Sequence, residues 1–177
     1  MARKKDTTRG FKKVRLLILD VDGVLTDGRI IYASDGRDMK FFDVHDGLGV
    51  FLLHKAGIPT VIITAKGSGV IAPRARDMRV ADVYADLHPK SKALEEICAK
   101  YKVAPDEICF VGDDLVDLSL LKRVGMPVAV CNAQPEVKKK AVYVTRKHGG
   151  RGAVREVAVL ILKARKLWKE ALKDYDV

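Results

Sequence analysis

Short, strongly apolar runs alternate with polar segments along this chain of 177 residues. The first run, Val14 to Leu19, has no polar alternation, which is typical of a strand buried on both faces of a parallel sheet. Further runs follow at Ile58–Ile63, Val80–Tyr84, Ile108–Val111, Val128–Val130 and Val142–Val144. Helical segments between them predict βα units with right-handed crossovers. We therefore expect an α/β fold, a three-layer sandwich around a mostly parallel Rossmann-like sheet.

The helices are predicted in the intervals between these strands. They are expected at Asp46–Ala56, Ser68–Met78, Lys90–Tyr101, Asp114–Arg123 and Pro135–Lys140. Pro73 lies inside the second of them and predicts a kink or a late start. From Val154 to Leu172, apolar residues recur at spacings of three and four, which predicts one C-terminal helix with a single apolar stripe.

The chain length favours one domain over residues 14–177, with no room for a separate cap domain. Residues 1–13 are strongly basic and are expected to form a frayed tail. Residues 28–43 are expected to form a β-hairpin flap, with arms at Ile30–Tyr32 and Met39–Phe42. Residues 145–177 are expected to contain a glycine-rich segment followed by the C-terminal helix.

Composition narrows the class of protein. The chain is 48% hydrophobic and 32% charged, which is typical of globular proteins, and no apolar run is long enough to span a bilayer. The three cysteines have no metal-binding or disulfide spacing, and no secretory signal is visible, so we expect a cytoplasmic protein. The net charge of +10 favours an anionic partner. That partner could be nucleic acid or a small phosphorylated or carboxylated molecule, but no nucleic-acid-binding motif accompanies the charge, so solvated charge with some electrostatic steering explains it better than nucleic-acid binding does.

Polar residues follow the ends of successive predicted strands. Asp20 and Asp22 follow the first, Thr64 the second, Lys90 the loop after the third, and Asp113 with Asp114 the fourth. The carboxyl ends of parallel strands meet at one edge of a sheet, where ligands bind. Carboxylates this close repel one another unless a cation separates them. Such a set, with one hydroxyl and one lysine, predicts Mg²⁺-assisted phosphoryl transfer.

Each of these residues also has an ordinary structural explanation. Asp-x-Asp-Gly is a common turn sequence, and Asp113 and Asp114 are common helix-capping residues. A calcium-binding EF-hand loop is excluded because Val24 and Leu25 stand where that loop needs an oxygen ligand and a glycine. The catalytic interpretation depends on the residues occurring together.

The order and spacing of these residues resemble the haloacid dehalogenase (HAD) superfamily of phosphotransferases. DVDGVLTDG at 20–28 resembles the first motif, Ile62–Thr64 the second, Lys90 the third and GDDLVD at 112–117 the fourth. The stretches at 20–28, 46–49 and 144–157 also resemble the subfamily of 3-deoxy-D-manno-octulosonate 8-phosphate phosphatases. One departure is that Ala65 and Lys66 follow the second motif where Gly-Arg is usual.

The resemblance implies a role for each residue. Asp20 is expected to be the nucleophile and Asp22 the general acid and base. Mg²⁺ is expected to bind Asp20, the backbone carbonyl of Asp22, and Asp113, with Asp114 or Asp117 supporting these ligands. Thr64, the Ala65 amide and Lys90 are expected to bind phosphoryl oxygens. Further substrate-binding candidates are Lys66, Ser68, Arg74, Gly149, Gly150 and Arg151, although a helix start and a solvated face also explain Ser68 and Arg74, and tight turns also explain Gly149 and Gly150.

The resemblance also implies partners. A homotetramer is expected, with the hairpins at its centre and the glycine-rich segment of one subunit reaching toward a neighbour's site. The expected substrate is a small phosphorylated sugar acid, 3-deoxy-D-manno-octulosonate 8-phosphate. Two alternatives stay open: a nine-carbon sugar acid phosphate (2-keto-3-deoxynononic acid 9-phosphate or N-acylneuraminate 9-phosphate), or a non-catalytic oligomerisation module on the same fold.

Overall fold

The computed structural model describes residues 2–175, with side chains from residue 7 onward. Six strands form the main sheet: β1 (Leu16–Leu19), β4 (Thr60–Ile63), β5 (Asp82–Tyr84), β6 (Ile108–Gly112), β7 (Met126–Ala129) and β8 (Tyr143–Val144). Their order is β5-β4-β1-β6-β7-β8, and every neighbouring pair is parallel. A separate antiparallel hairpin joins β2 (Ile31–Tyr32) to β3 (Asp38–Met39). The α/β fold with a parallel sheet is confirmed.

Two groups of helices flank the sheet. The α-helices are α1 (Ala2–Lys13), α2 (Val44–Lys55), α3 (Ile71–Asp77), α4 (Leu94–Tyr101), α5 (Leu118–Leu121), α6 (Pro135–Lys140), α7 (Ala153–Ala164) and α8 (Trp168–Ala171). Short 3₁₀ turns occupy Lys90–Ala93, Pro105–Glu107, Leu115–Asp117 and Lys173–Tyr175. Helices α1, α2 and α8 pack around α7, whereas α5 lies beside α6 and the 3₁₀ turn that precedes α4. None of the helices in residues 2–175 has the length and apolar character needed to cross a membrane.

The central strands are apolar because both of their faces are covered. Every residue of β1, β4, β6 and β7 is buried. In the register of the sheet, Leu19 at the end of β1 lies beside Ile62 of β4 and Val111 of β6. The residues that follow these three strands therefore emerge at the same edge, and this edge carries the polar side chains noted in the sequence.

The N-terminal segment differs from its prediction as a frayed tail. It forms α1, which packs on α7, and Phe11 at its end is buried with its ring edge-on to Tyr143 at 5.6 Å. The many basic residues of this segment favoured the prediction of a solvated tail, and the single apolar residue Phe11 was not recognised as a packing contact. A buried aromatic side chain stabilises a packed segment by roughly 2–3 kcal/mol, which favours the docked helix.

The single C-terminal helix was also wrong in its extent. Helix α7 ends at Ala164, and Lys166 adopts a left-handed backbone conformation (φ 62°) before α8 begins at Trp168. The apolar stripe continues across the break because Trp168 and Leu172 still pack on the core. Helix α3, by contrast, agrees with its prediction: it starts late, at Ile71, as expected from Pro73.

Candidate active site

The loop after β1 presents Asp20 with one oxygen already occupied. Oδ1 of Asp20 accepts a hydrogen bond from the Val21 amide at 2.7 Å and contacts the Lys90 ammonium at 2.6 Å. Both donors meet the same oxygen. Among the contacts of the described residues, Oδ2 is therefore the atom of this carboxylate that is available to attack an electrophile.

Lys90 bridges two carboxylates inside the protein. It begins the 3₁₀ turn after β5, is completely buried, and contacts Asp20 Oδ1 and Asp117 Oδ1, each at 2.6 Å. Burial alone would lower the pKa of Lys90, but the two carboxylates outweigh it and raise the pKa. Lys90 is therefore a fixed ammonium group, which orients the nucleophile as well as adding positive charge to the site.

Asp113 and Asp117 complete an acidic cluster with Asp20. One carboxylate oxygen from each of the three lies within 4.8 Å of the other two. Burial, reinforced by the neighbouring Asp117, raises the pKa of Asp20 to about 7. Burial and then the charge of Asp20 raise the pKa of Asp113 to about 8. Crowded negative charge of this kind fits a hard divalent cation bound by carboxylate oxygens.

Asp117 serves as a support for this cluster. Its Oδ1 accepts from Lys90, and its Oδ2 accepts from the backbone amides of Asp113 at 2.7 Å and Asp114 at 3.3 Å. Both oxygens are thus engaged in holding neighbours, which leaves Asp20 and Asp113 as the side chains best placed to bind a cation. Asp114 instead caps the following 3₁₀ turn, accepting from the Leu115 amide at 2.6 Å.

Asp22 makes an ion pair that the sequence pattern did not indicate. Its Oδ1 lies 2.6 Å from Nζ of Lys40, a residue at the end of the hairpin whose side chain is 3% exposed. Nothing in the local pattern singles out Lys40, because a lysine beside a short strand is ordinarily solvated. The hairpin is therefore tied to the acid loop by a buried ammonium group.

A cavity of about 200 Å³ opens above these groups. Its lining includes the predicted site residues Asp20, Asp22, Thr64, Ala65, Lys66, Lys90, Asp113 and Asp114. The Thr64 hydroxyl donates to the Lys66 carbonyl at 3.0 Å, which holds the turn after β4 closed. Lys66 extends to the hairpin, where its Nζ donates to the Tyr32 hydroxyl at 2.7 Å. The structure thus brings together the predicted groups from four strand ends.

Ser68 and Arg74 do not line this cavity, which differs from their prediction as substrate-binding residues. The Ser68 hydroxyl accepts a long hydrogen bond, 3.4 Å, from the Val70 amide within its own turn. Arg74 points away to α2, where it donates to the Asp43 carbonyl at 2.8 Å and packs on the ring of Phe42. Because α3 starts only at Ile71, Ser68 lies in the preceding loop and Arg74 faces the start of α2.

The glycine-rich segment braces the acid loop of its own chain. The Gly150 amide donates to the Val24 carbonyl at 2.9 Å, and a Cβ placed on Gly149 would lie 1.7 Å from the Gly23 carbonyl oxygen. Only glycine allows so close an approach of two backbones. Gly150 and Arg151 line a second cavity, beside Asp27, rather than the cavity above Asp20. Their predicted role at a neighbour's site stays a prediction.

Asp46, which begins the stretch at 46–49, makes contacts that the sequence pattern did not indicate. It is fully buried at the start of α2 and accepts hydrogen bonds from the amides of Gly152 at 3.2 Å and Arg155 at 2.7 Å. Burial raises its pKa to about 6 despite these donors. Asp46 therefore joins α2 to the glycine-rich segment and the start of α7.

The fold and this acidic site define a known class of enzyme. The chain belongs to the haloacid dehalogenase-like hydrolases, whose family model matches residues 69–157. The 3-deoxy-D-manno-octulosonate 8-phosphate phosphatase of Yersinia pestis is 40% identical over 159 residues, which cover 90% of this chain and 85% of that protein. The chain is a phosphoric monoester hydrolase, as predicted.

Solved structures agree with this assignment. The 3-deoxy-D-manno-octulosonate 8-phosphate phosphatase of Moraxella catarrhalis, in complex with magnesium, phosphate and KDO, superposes with a TM-score of 0.93 at 34% identity, covering 97% of this chain and 98% of that one. The cobalt-bound form of the Haemophilus influenzae phosphatase superposes with a TM-score of 0.87 at 32% identity, covering 93% of this chain and 95% of that one. Both of these solved structures of relatives thus contain a divalent metal ion.

Proposed function

We propose that this protein is an Mg²⁺-dependent phosphatase that hydrolyses 3-deoxy-D-manno-octulosonate 8-phosphate to the free sugar acid and phosphate. The observation that supports it best is the convergence of Asp20, Asp113 and Lys90 in one cavity. Relatives that carry this activity in their names align over nearly the whole chain. A non-catalytic module is disfavoured because the nucleophile, the acid and the acidic support are all present and brought together.

The proposed reaction has two steps at phosphorus. Oδ2 of Asp20 attacks the phosphoryl group, the bond from phosphorus to the sugar oxygen breaks, and Asp22 donates a proton to that oxygen. Asp22, now a carboxylate, takes a proton from water, which attacks the aspartyl-phosphate and releases phosphate and free Asp20. Lys90 keeps Oδ1 of Asp20 turned away from the phosphorus throughout.

The remaining residues of the cavity bind and neutralise the phosphoryl group. Asp20, Asp113 and the backbone carbonyl of Asp22 would hold Mg²⁺, which supplies electrostatic stabilisation of the phosphoryl oxygens when bound. Thr64 and the Ala65 amide also line the cavity and would donate to those oxygens, the Thr64 hydroxyl by turning from the Lys66 carbonyl. Lys66, which replaces the usual arginine, offers a single ammonium group and no planar bidentate contact to a substrate carboxylate.

We further propose that the active form is a cytoplasmic homotetramer. The cavity of about 200 Å³ is smaller than the ~300–1,000 Å³ of typical ligand pockets, so one chain does not enclose a whole sugar acid phosphate. The hairpin exposes apolar side chains: Tyr32, 64% exposed, contacts Lys66 of that cavity, and Phe41, 65% exposed, lines the second cavity beside Asp27. A neighbouring subunit packed on the hairpin would cover these residues and complete the wall of the site.

A panel of phosphate monoesters tests the substrate. With Mg²⁺ present, we expect the highest kcat/KM on 3-deoxy-D-manno-octulosonate 8-phosphate, lower values on 2-keto-3-deoxynononic acid 9-phosphate and N-acylneuraminate 9-phosphate, and the lowest on nucleotides. A preference for a nine-carbon acid would keep the chemistry and replace the substrate. If the folded protein hydrolyses none of the esters in the presence of Mg²⁺, the non-catalytic alternative is supported.

A further inference from the structure

The side chain of Lys40 is buried although the residues on either side of it are exposed. Its neighbours Met39 and Phe41 are 50% and 65% exposed, yet the Lys40 side chain is 3% exposed. A lysine is almost never fully buried unless its charge is paired. The charge of Lys40 is paired with Asp22, whose Oδ1 lies 2.6 Å from Nζ. The ammonium group of Lys40 thus points inward from the hairpin and contacts Asp22, the residue proposed to transfer protons.

The contact leaves the second oxygen of Asp22 for chemistry. Asp22 lines the cavity above Asp20, whereas Lys40 does not. Lys40 therefore meets Asp22 through Oδ1 without being part of the lining of the cavity. Proton transfer needs the donor and acceptor within about 2.6–3.2 Å, so a carboxylate free to rotate would spend less time in position.

A second contact holds the hairpin in the same place. Tyr32, on the other arm, accepts a hydrogen bond from Lys66 of the cavity wall and lies under its ammonium group, with Nζ 5.3 Å from the ring centre. The two arms of the hairpin are thus tied to two different residues of the cavity lining, Asp22 and Lys66. Displacement of the hairpin would pull Lys40 away from Asp22.

We propose that Lys40 is a positioning residue that holds Asp22 in the orientation needed for proton transfer. This proposal rests on the function proposed above and adds to it a dependence of the acid and base steps on the hairpin. Lys40 touches neither the substrate nor the reacting atoms, so its effect is on the steps that Asp22 performs and not on binding.

The two steps respond differently to a misplaced Asp22. A sugar alkoxide is a poor leaving group and needs the proton from Asp22 when the bond from phosphorus to oxygen breaks. A p-nitrophenolate ion leaves without a proton, so the first step with p-nitrophenyl phosphate does not need Asp22. Hydrolysis of the aspartyl-phosphate requires Asp22 to accept a proton from water, whichever ester formed it.

The test replaces Lys40 by Met, with Arg37→Met as the matched control. Arg37 is on the same hairpin, is exposed, and pairs with Asp35 away from the cavity. In Lys40→Met we expect kcat on the sugar acid phosphate to fall by about 10²-fold, the range of a general acid or base, with KM little changed. With p-nitrophenyl phosphate we expect a rapid burst of one p-nitrophenolate per site, slow turnover afterwards, and an aspartyl-phosphate adduct in the mass spectrum.

Lys40→Arg keeps the cation and is expected to restore kcat to within about tenfold of the wild type, since Arg differs from Lys in shape more than in charge. The proposal is overturned if Lys40→Met slows both esters equally with no burst, which indicates a structural role, or if KM alone rises, which indicates a substrate ligand. If the methionine variant does not fold, Lys40→Gln takes its place: a burst followed by slow turnover supports the proposal, and equal slowing of both esters without a burst overturns it. A wild type that hydrolyses neither ester overturns the proposed function itself.

Discussion

Two adjacent stretches of the chain, the acid loop at residues 20–28 and the hairpin at 30–42, differ sharply in how they are held. In the acid loop Val21, Val24 and Leu25 are fully buried, and the Thr26 hydroxyl accepts from the Gly23 and Gly28 amides at 3.3 and 3.2 Å. In the hairpin, by contrast, two strands of two residues each carry exposed apolar side chains.

The acid loop carries the catalytic residues, whereas the hairpin is proposed to help enclose the substrate. The geometry of the acid loop is set by the core beneath it and by the glycine-rich segment against it, so one chain is sufficient to build it. An isolated two-stranded hairpin is marginally stable in water, and contiguous exposed apolar residues mark an interaction surface. The hairpin therefore depends on Lys40, on Tyr32 and, as proposed, on a neighbouring subunit.

Replacement of the nucleophile gives the largest expected effect and tests the acid loop. Asp20→Asn removes the attacking oxygen, and we expect kcat/KM to fall by at least about 10³-fold, as for other catalytic nucleophiles. Asp38→Asn removes a carboxylate from the hairpin instead and is expected to leave kcat/KM within about threefold of wild type, the ordinary scale of a surface change. Steady-state assays on both proteins check this, and equal losses would contradict the division of roles.

The packing of Gly149 against the backbone of Gly23 predicts the next largest effect. In Gly149→Ala the new Cβ would meet the Gly23 carbonyl oxygen at 1.7 Å, so the acid loop has to shift. A misplacement of about 1 Å at a catalytic group costs about 10²-fold, and we expect kcat to fall by that amount. Gly69→Ala is the matched control, because a Cβ there meets no atom within 4 Å. Similar kcat values for the two variants would show that this packing does not position the loop.

The hairpin predicts an effect on assembly. Phe41→Asp places a charge on the exposed apolar surface, and we expect light scattering to show single chains where the wild type shows a tetramer. Loss of an enclosing wall worth about 1–2 kcal/mol would raise KM by roughly tenfold. Val142→Asp, at an equally apolar position 47% exposed beside β8, is expected to leave the mass unchanged. A monomeric wild type, or an unaltered mass in Phe41→Asp, would refute the interface.

The parts of the site that were predictable from sequence follow from topology. Continuous apolar runs mark buried parallel strands, and such strands end at one edge, so the convergence of Asp20, Thr64 and Asp113 did not require knowledge of any contact. The convergence needs only the order of strands and the residues that follow them. Support from Asp114 or Asp117 was implied by the resemblance to the fourth motif, and Asp117 is the one whose oxygens hold Lys90 and the Asp113 amide.

The contacts that were not predictable join residues far apart in sequence. Lys40 meets Asp22 across 18 positions, and Asp46 meets Arg155 across 109. A lysine on a short strand and an aspartate in a first helical turn both have ordinary explanations, so neither pattern indicates a partner. Gly149 is likewise a common turn residue until the backbone of Gly23 is seen against it. Packing in three dimensions decides these roles.

The last prediction is on stability and not on activity, and it concerns Asp46, which holds the glycine-rich segment that packs on the acid loop. Burial raises the pKa of Asp46 from its usual 3.8 to about 6. Between these two values the folded protein binds a proton that the unfolded chain has released, so the unfolding free energy falls as the pH rises through this window. A shift of about two units corresponds to a loss on the order of 3 kcal/mol by pH 7. The carboxylate is kept there by the two amides of the glycine-rich segment and α7.

Asp46→Asn removes this titration while keeping one acceptor for the Arg155 amide. We expect the wild type to be more stable than the variant near pH 4.5, because the variant loses one hydrogen bond worth about 1 kcal/mol, and the difference to shrink or reverse by pH 7.5. Urea unfolding of both proteins at the two pH values measures it. Subtracting one protein from the other cancels the contributions of Asp20 and Asp113, which are common to both. A difference independent of pH would mean that Asp46 is ionised throughout this range and that its contacts to the glycine-rich segment and α7 are insensitive to protons.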